Sequence, residues 1–197
     1  MASERVQFGL FSRLLHWTMA AMVLAMLGIG VAMVASLADY HVLVSIHRPL
    51  GVAIFVLVVI RFANRLLTRR PSFPATMSRT EQLATTAAEY TMYGLMFVLP
   101  LVGWGMLSAA GYPIVLFGRT HLPPILPRSA ALYELLRTSH TLFAYVFFLT
   151  FLAHLSSVLF HALVIRDGIL RRMTWSFAPP GDAVADARPS SEHEAPL

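Results

Sequence analysis

Two histidines in one long apolar stretch, His140 and His154, have the spacing that says most about chemistry. Fourteen residues at about 100° each come within about 40° of four full helical turns, so both imidazoles face one side of a helix. At about 1.5 Å per residue, the two rings are about 21 Å apart along the helix axis. One ring therefore lies near one membrane surface and the other close to the opposite surface. This layout suits two metal centres stacked across a membrane.

A second histidine is available at each of these two depths. His16 opens the first apolar stretch and comes level with His154, whereas His47 opens the second stretch and comes level with His140. An ionisable group inside a bilayer is costly, so each of these histidines needs a partner or a purpose. Each one taken singly is compatible with an interfacial position and no chemistry. Their joint match in depth and face instead predicts two pairs, one at each depth.

Each pair has the donors of a haem site. Two neutral imidazoles on facing helices are the ligand set expected for a six-coordinate haem iron, and haem sites are often built in the core of four-helix bundles. Zinc would need a third and a fourth ligand at each depth, and the sequence offers no carboxylate or thiol there. The chain has no cysteine, which excludes disulfides, thiolate-ligated iron–sulfur clusters and the attachment motif of c-type haem.

The composition indicates an integral membrane protein that positions these histidines on helices. Of the 197 residues, 57% are hydrophobic and 13% are charged, with a mean hydropathy of +0.66, which a soluble domain of this size would not carry. No cleavable signal sequence is evident, and strand-like alternation is absent. We therefore predict an all-α, membrane-spanning four-helix bundle. Its spans are Trp17–Ala38, Pro49 to about Leu67, Ala87–Ala110 and Ser139–Ile165.

The arginines predict the orientation. All fifteen basic residues are arginine; eleven lie before the first span, between the second and third, or after the fourth, and four lie in the other two loops. The positive-inside rule then places both termini in the cytoplasm. Because the arginines are split among segments and no soluble domain presents them, nucleic-acid binding is a poor explanation of the net charge of +5. Contact with anionic lipid is a better one.

The loops and the tail complete the predicted organisation. Residues 1–173 form the membrane domain, and residues 174–197, rich in Pro, Ala, Asp, Glu and Ser, form a disordered cytoplasmic tail. The outer loop from Gly111 to Thr138 could cover one end of the bundle, and its part from Ser129 to Arg137 could be a short surface helix. Pro100 in the third span is expected to kink it. The neighbouring glycines either permit close helix packing or make room for a flat cofactor.

His161 is the candidate for proton chemistry. It follows His154 by seven residues, on nearly the same face and about 10 Å closer to the cytoplasm. It could replace His154 as a ligand, although its depth matches His16 less well. We interpret it as a polar group that gives a hydrogen bond and a proton to a quinone head group; an interfacial histidine with no role is the alternative. Three further histidines are expected to be inert: His41, His121 and His193.

Four arginines lie near the predicted pairs and could bind haem propionates, because guanidinium groups bind carboxylates well. Arg48 and Arg137 are at the outer end, and Arg13 and Arg61 are toward the inner end. Membrane topology alone is an alternative explanation for all four.

A set of short motifs also runs in a fixed order along the chain. They are Arg-Leu-Leu-His-Trp ending in His16 and Trp17; His47 with Gly51 and Arg61; Leu99-Pro100 with Gly103; and His140, His154, His161, Arg166-Asp167-Gly168 and Leu170-Arg171-Arg172-Met173. In this order and spacing, over roughly residues 7 to 175, the chain resembles the bacterial cytochrome b561 family, which is related to the cytochrome b subunits of hydrogenases.

The resemblance implies two b-type haems held by the four paired histidines, one near each membrane face, and electron exchange with ubiquinone or another quinone. Some members of this family oxidise superoxide at the outer face and reduce ubiquinone, and His161 resembles their quinone-site histidine. The resemblance therefore favours a superoxide:quinone oxidoreductase of the respiratory chain in the bacterial inner membrane.

Two other functions stay open on the sequence alone. The chain could be a haem-bearing anchor that relays electrons for a dehydrogenase or hydrogenase partner. It could also be a histidine-lined proton pathway or transporter without haem, which would show no visible absorption and would leave the pairing by depth unexplained.

Overall fold

Four long helices account for most of the described chain. The computed structural model describes residues 8–68, 72–73, 76–116, 120–168 and 170–174, with helices α1 (Leu10–Ala35), α2 (Tyr40–Leu67), α3 (Arg79–Ala110) and α4 (Ala130–Phe160). A π-helical turn, His161–Ile165, continues α4, and a short 3-10 turn follows at Leu170–Arg172. All four helices are long and apolar enough to cross a membrane. The predicted four-helix membrane fold is confirmed.

Hydrogen bonds distinguish the two ends of the bundle. At the terminal end, by which we mean the end where α1 starts and α4 stops, three bonds tie the start of α1 to residues 170–174. They run from the Phe8 N–H to the Arg172 carbonyl (3.2 Å), from Arg13 Nη1 to the Thr174 carbonyl (2.9 Å) and from Trp17 Nε1 to the Met173 carbonyl (2.8 Å). The opposite end, the hairpin end, carries the antiparallel strands β1 (Ile114–Leu116) and β2 (Thr120–Leu122). Consecutive helices therefore run in alternate directions.

All four helices begin seven to nine residues before the apolar spans predicted for them, for the same reason. The second span was expected to begin at Pro49, but α2 begins at Tyr40 and Pro49 lies inside it. The segment Ser129–Arg137 is not a separate surface helix; it leads into the first turns of α4, whose start Ser129 caps by accepting a hydrogen bond from the Leu132 N–H (3.3 Å). Polar residues lower the local hydropathy without ending a helix, so the apolar span is shorter than the helix that contains it.

The loop after α3 packs on the hairpin end. Gly111 ends α3 with φ of 74°, and a Cβ built there would come within 2.7 Å of Arg128 Nε, so only glycine fits. Trp104 Nε1 donates to the Pro123 carbonyl (3.0 Å), and the Ile125 N–H donates to Oγ of the buried Ser108 (3.2 Å). The β-hairpin was not predicted. Its strands have three residues each, too few for an alternating pattern to stand out.

A dry apolar layer lies between the two histidine levels. Phe147 on α4 is buried and lies midway between His140 and His154 in sequence. Val58 on α2 is fully buried between the levels of His47 and Arg61. The other buried members of this layer are Met19, Val23, Ile54, Tyr93, Leu95 and Met96. The layer separates the two histidine pairs, whereas large apolar side chains on the outside of the helices, such as Leu24 and Leu149, are exposed and suit contact with lipid.

An ion pair between Arg65 on α2 and Glu89 on α3 lies on the terminal side of this layer. The Arg65 side chain is only 7% exposed, whereas that of Glu89 is 35% exposed. The Arg65 guanidinium also lies over two aromatic rings, 4.7 Å from the centroid of Tyr90 and 5.2 Å from that of Tyr93. The Arg65 charge is tolerated at this depth because it is paired with Glu89 and stacked on aromatic rings. Because the pair joins α2 to α3, it also fixes the register of these two helices.

We expect Arg65→Met to destabilise the protein by about 2 kcal/mol, below the range for breaking a fully buried pair because Glu89 is partly exposed. The thermal unfolding midpoint of the purified protein in detergent measures the change. Arg79→Met is the matched control, since Arg79 is an exposed arginine at the start of α3. Equal midpoints for the two variants would show that the ion pair does not stabilise the bundle.

Candidate functional site

The histidine pair at the hairpin end brings two imidazole rings close together across the bundle. His47 lies about two turns into α2 and His140 about three turns into α4. Their ring centroids are 6.3 Å apart, and the ring planes are inclined at 64°. Backbone contacts between α2 and α4 are sparse in the described chain, so it is these side chains that meet across the gap.

This separation suits one metal ion held between the two rings. A metal–nitrogen bond of about 2.0 Å, plus about 1.1 Å from the nitrogen to the ring centre, puts the centroids of an axial pair about 6.2 Å apart. In addition, Nδ1 of both His47 and His140 is buried without a hydrogen-bond partner. The Leu99 backbone also interacts with His140. Iron held through the other nitrogen of each ring, Nε2, would leave Nδ1 as the N–H donor. The donors therefore fit a haem iron.

Gly103 on α3 allows the backbone to approach this pair. A Cβ built on Gly103 would lie 3.4 Å from Cε1 and 3.6 Å from Nδ1 of His140. The absence of a side chain at this position leaves room for the ring. The other two glycines of α3 behave differently: Gly105 makes room for Leu126 of the loop, and Gly94 faces open space.

The pair at the terminal end is arranged around an arginine. His16 on α1 and His154 on α4 are close enough to interact electrostatically, and Arg61 on α2 interacts with both. Arg61 Nη2 lies 3.1 Å from Nδ1 of His16, and Arg61 Nη1 donates to the Ser12 carbonyl (3.3 Å). Close backbone contacts between α1 and α4 are sparse in the described chain.

Equal spacings on two helices produce the two levels. Arg61 follows His47 by fourteen residues on α2, as His154 follows His140 on α4. Since α2 and α4 run in the same direction, each helix presents one group at each level on the same face. The spacing on α2 was a sequence signal for the contact between Arg61 and His16, which the sequence analysis did not identify.

The remaining arginines near the pairs differ in burial. Nε of Arg13 and Nε of Arg48 are buried without partners, and Arg48 interacts electrostatically with His47. Arg137 is exposed and lines a shallow groove on α4 with Glu134 and Thr141. Arg13 and Arg48 therefore have donors available at the two levels, whereas Arg137 points to the outside of the bundle.

His161 is buried at the terminal end and has a carboxylate partner. Its Nδ1 lies 2.7 Å from Oδ2 of Asp167, and the two side chains are 4% and 2% exposed. Thr76, in the loop before α3, donates to the same carboxylate oxygen (3.2 Å). A role for His161 was predicted from the sequence, but its partner Asp167 was not. The signal was available, because Asp167 is the only acidic residue between Glu134 and Asp182.

The other histidines lie apart from both levels. His41 stacks edge-on with Tyr40 at the start of α2, and His121 is exposed in β2. Among the described residues, no three or more His, Asp or Glu side chains converge on one point. The donor sets in that part of the chain are therefore pairs, as a porphyrin iron requires and a protein zinc site does not.

Comparison with known proteins identifies the family. A sequence model of the prokaryotic cytochrome b561 family matches residues 7–176. The chain belongs to this family. A relative, the protein named cytochrome b561 homolog 2 in Escherichia coli strain K12, is 28% identical over 170 residues, which cover 85% of this chain and 90% of the relative.

Family membership establishes the broad activity. Cytochrome b561 proteins bind haem b and transfer electrons in the membrane, and the four apolar helices make this chain a multi-pass bacterial membrane protein. Several predicted residues lie outside the described chain: Arg5, Arg69, Arg70, Arg119, Arg188, His193 and the rest of the predicted tail from residue 175. Thr174, the first residue of that predicted tail, accepts the hydrogen bond from Arg13.

Proposed function

We propose that this cytochrome b561 protein carries electrons across the membrane through two b haems, from a donor at the outer face to a quinone near the cytoplasmic face. The observation that carries the proposal is the 6.3 Å separation of the His47 and His140 rings, which would let both imidazoles hold one haem iron. His16 and His154 form the second pair. Haem iron, when bound, supplies a one-electron couple at each level.

The orientation follows from the arginines. Of the arginines in the described chain, seven lie toward the terminal end and three toward the hairpin end: Arg13, Arg61, Arg65, Arg79, Arg166, Arg171 and Arg172 against Arg48, Arg128 and Arg137. By the positive-inside rule the terminal end, with both chain termini, faces the cytoplasm. The pair His47 and His140 then faces the donor, and the pair His16 and His154 faces the quinone.

We assign Arg13 and Arg61 to the propionates of the inner haem, and Arg48 to those of the outer haem. Arg137, which was predicted to join Arg48, is instead exposed on the outer side of α4. For Arg61 the chemistry demands an exchange of partners. A guanidinium only donates, so Nδ1 of His16 accepts its hydrogen bond. A neutral imidazole that binds iron through Nε2 carries its proton on Nδ1 and cannot accept. With His16 holding iron through Nε2, the Arg61 guanidinium would be available to bind a haem carboxylate instead.

The donor that best suits an autonomous protein is superoxide. Two superoxide anions lose one electron each and become dioxygen, and one quinone takes up these two electrons and two protons to become quinol. His161, at the cytoplasmic end, gives a proton to the quinone. The arginines of the outer segments, Arg48, Arg119, Arg128 and Arg137, would attract the anion by electrostatic steering.

The test is quinone reduction by the purified holoprotein with no partner present. We expect superoxide to drive reduction of a short-chain ubiquinone analogue, followed by its ultraviolet absorbance, with dioxygen released in a ratio of two to one. Heat-denatured protein with the same haem content is the control. A holoprotein that stays idle until a dehydrogenase is added would instead support the role of a membrane anchor. A colourless preparation would exclude both.

We also expect the rate to fall as salt rises, because screening weakens the attraction between an anion and exposed arginines. Between about 0.01 M and 0.15 M ionic strength the Debye length shrinks from about 30 Å to about 8 Å, so a several-fold loss is expected. The reaction of a neutral reductant is the control. A superoxide rate independent of salt would contradict steering by these arginines.

A further inference from the structure

His161 and Asp167 meet only because the chain leaves the α-helix between them. Six residues apart in a continuous helix, the two side chains would point about 120° apart around the axis and lie about 9 Å apart along it. Instead, residues 161–165 form a π-helical turn, and Arg166 takes a left-handed conformation with φ of 58°. The Arg166 N–H donates to the His161 carbonyl (2.7 Å), which closes this turn. The backbone is thus bent where the carboxylate has to reach the ring.

Residues from other parts of the chain also contact the pair of His161 and Asp167. Thr76, on the chain between α2 and α3, donates to the carboxylate oxygen that also faces Nδ1. Glu81, half-buried in the first turn of α3, is close enough to interact electrostatically with both His161 and Asp167. The ring of Phe160 packs edge-on against His161, with centroids 6.2 Å apart. A buried carboxylate at a membrane boundary is costly, so these bonds indicate that its place is specified.

We propose that Asp167 is the positioning residue of His161 in quinone reduction, an inference that rests on the function proposed above. The carboxylate accepts the Nδ1–H bond, which fixes the ring orientation and leaves Nε2 as the nitrogen that addresses the quinone. It also stabilises the doubly protonated ring, in which Nε2–H is a donor. This is the division of labour between the aspartate and the histidine in serine-protease triads.

The proton balance follows from this arrangement. When the quinone takes up its electrons, the Nε2–H bond breaks and an O–H bond forms on one quinone oxygen. His161 becomes neutral and keeps its proton on Nδ1, and Asp167 remains a carboxylate throughout. Nε2 is then reprotonated from water on the side of Glu81. The proton for the second quinone oxygen is taken directly from cytoplasmic water.

The experiment compares purified wild-type holoprotein with Asp167→Asn and with Asp39→Asn. The control is matched, because Asp39 is also an aspartate that accepts a hydroxyl hydrogen bond, from Ser36 at the hairpin end. We expect Asp167→Asn to lower kcat for quinone reduction at least tenfold with little change in the KM for the quinone analogue. Asp167→Glu should restore part of kcat. Asp39→Asn should match the wild type.

A second readout does not depend on turnover. Nitrogen-15 spectra of histidine-labelled protein in nanodiscs, with the His161 signal assigned by its loss in His161→Gln, should show a protonated Nδ1 in the wild type and a shifted signal in Asp167→Asn. If Asp167→Asn does not fold, Thr76→Val removes one bond to the carboxylate and should lower kcat several-fold.

The outcomes separate the inference from the function on which it rests. A wild type that reduces no quinone overturns the proposed function, and this inference with it. A wild type that reduces quinone while Asp167→Asn does so at the same kcat overturns this inference alone. An unchanged nitrogen-15 signal in Asp167→Asn, or an equal loss in Asp39→Asn, does the same.

Discussion

Replacing His154 with alanine should remove one haem and leave the other. The two pairs lie about 21 Å apart along α4 and are separated by the apolar layer around Phe147, so each of the two proposed haems would have its own pair of nitrogens. His140→Ala should remove the other haem. We expect haem content to fall from two per chain to one in each variant, measured by pyridine haemochrome assay. Each variant should lose a different component in a redox titration followed by absorbance.

Two control variants test which histidines are haem ligands. His121→Ala, at an exposed position in β2, should keep both haems. His161→Ala should also keep both, because the His161 ring is occupied by Asp167; loss of one haem here would make His161 the ligand in place of His154. A His154→Ala protein that retains two haems, with unchanged spectra, would contradict the proposed pair.

The helices were predictable because few backbone conformations are stable inside a membrane. A segment in hydrocarbon must satisfy its backbone internally, so long apolar stretches identify four helices without further information. The helix starts were not predictable from the same signal. Pro49 at the apparent edge of the second span lies well inside α2, since the polar residues before it continue the helix beyond the apolar part. The short β-hairpin left no alternating pattern to detect.

The sequence carried the side-chain spacing of the site but not its contacts. The fourteen-residue interval on α4 predicted two levels, and α2 repeats it with His47 and Arg61. The bond between Arg61 and His16 depends on how α1 packs against α2, which spacing along one helix does not specify. The partner of His161 was missed for a different reason: helical periodicity puts Asp167 on another face, and only the π turn and the left-handed Arg166 bring it back.

Glycine positions on α3 link packing to cofactor binding. Three glycines lie on this helix, and the sequence alone could not distinguish room for a cofactor from simple close packing. Their surroundings differ: only Gly103 faces a ring of a histidine pair, at 3.4 Å from a built Cβ to Cε1 of His140. A side chain at this position competes directly with the histidine for space, whereas one at Gly94 meets nothing within 4 Å.

We therefore expect Gly103→Leu to cost the protein its outer haem without unfolding it. A leucine in this contact forces His140 off the axis shared with His47, and overpacking of this kind typically costs about 1–3 kcal/mol, which a four-helix bundle survives. Haem content should fall from two to one, and the remaining spectrum should match that of His140→Ala. Gly103→Ala should keep both haems, because a methyl group at this distance makes nearly ordinary contact.

Gly94→Leu is the matched control, with the same change on the same helix, and it should retain both haems. Loss of haem in both leucine variants would mean that α3 tolerates no bulk at all and that Gly103 has no special relation to His140. Full haem content in Gly103→Leu would mean that the His140 ring is free to move away from α3. The pairing of His47 with His140 on one iron would then need a different geometry from the one proposed.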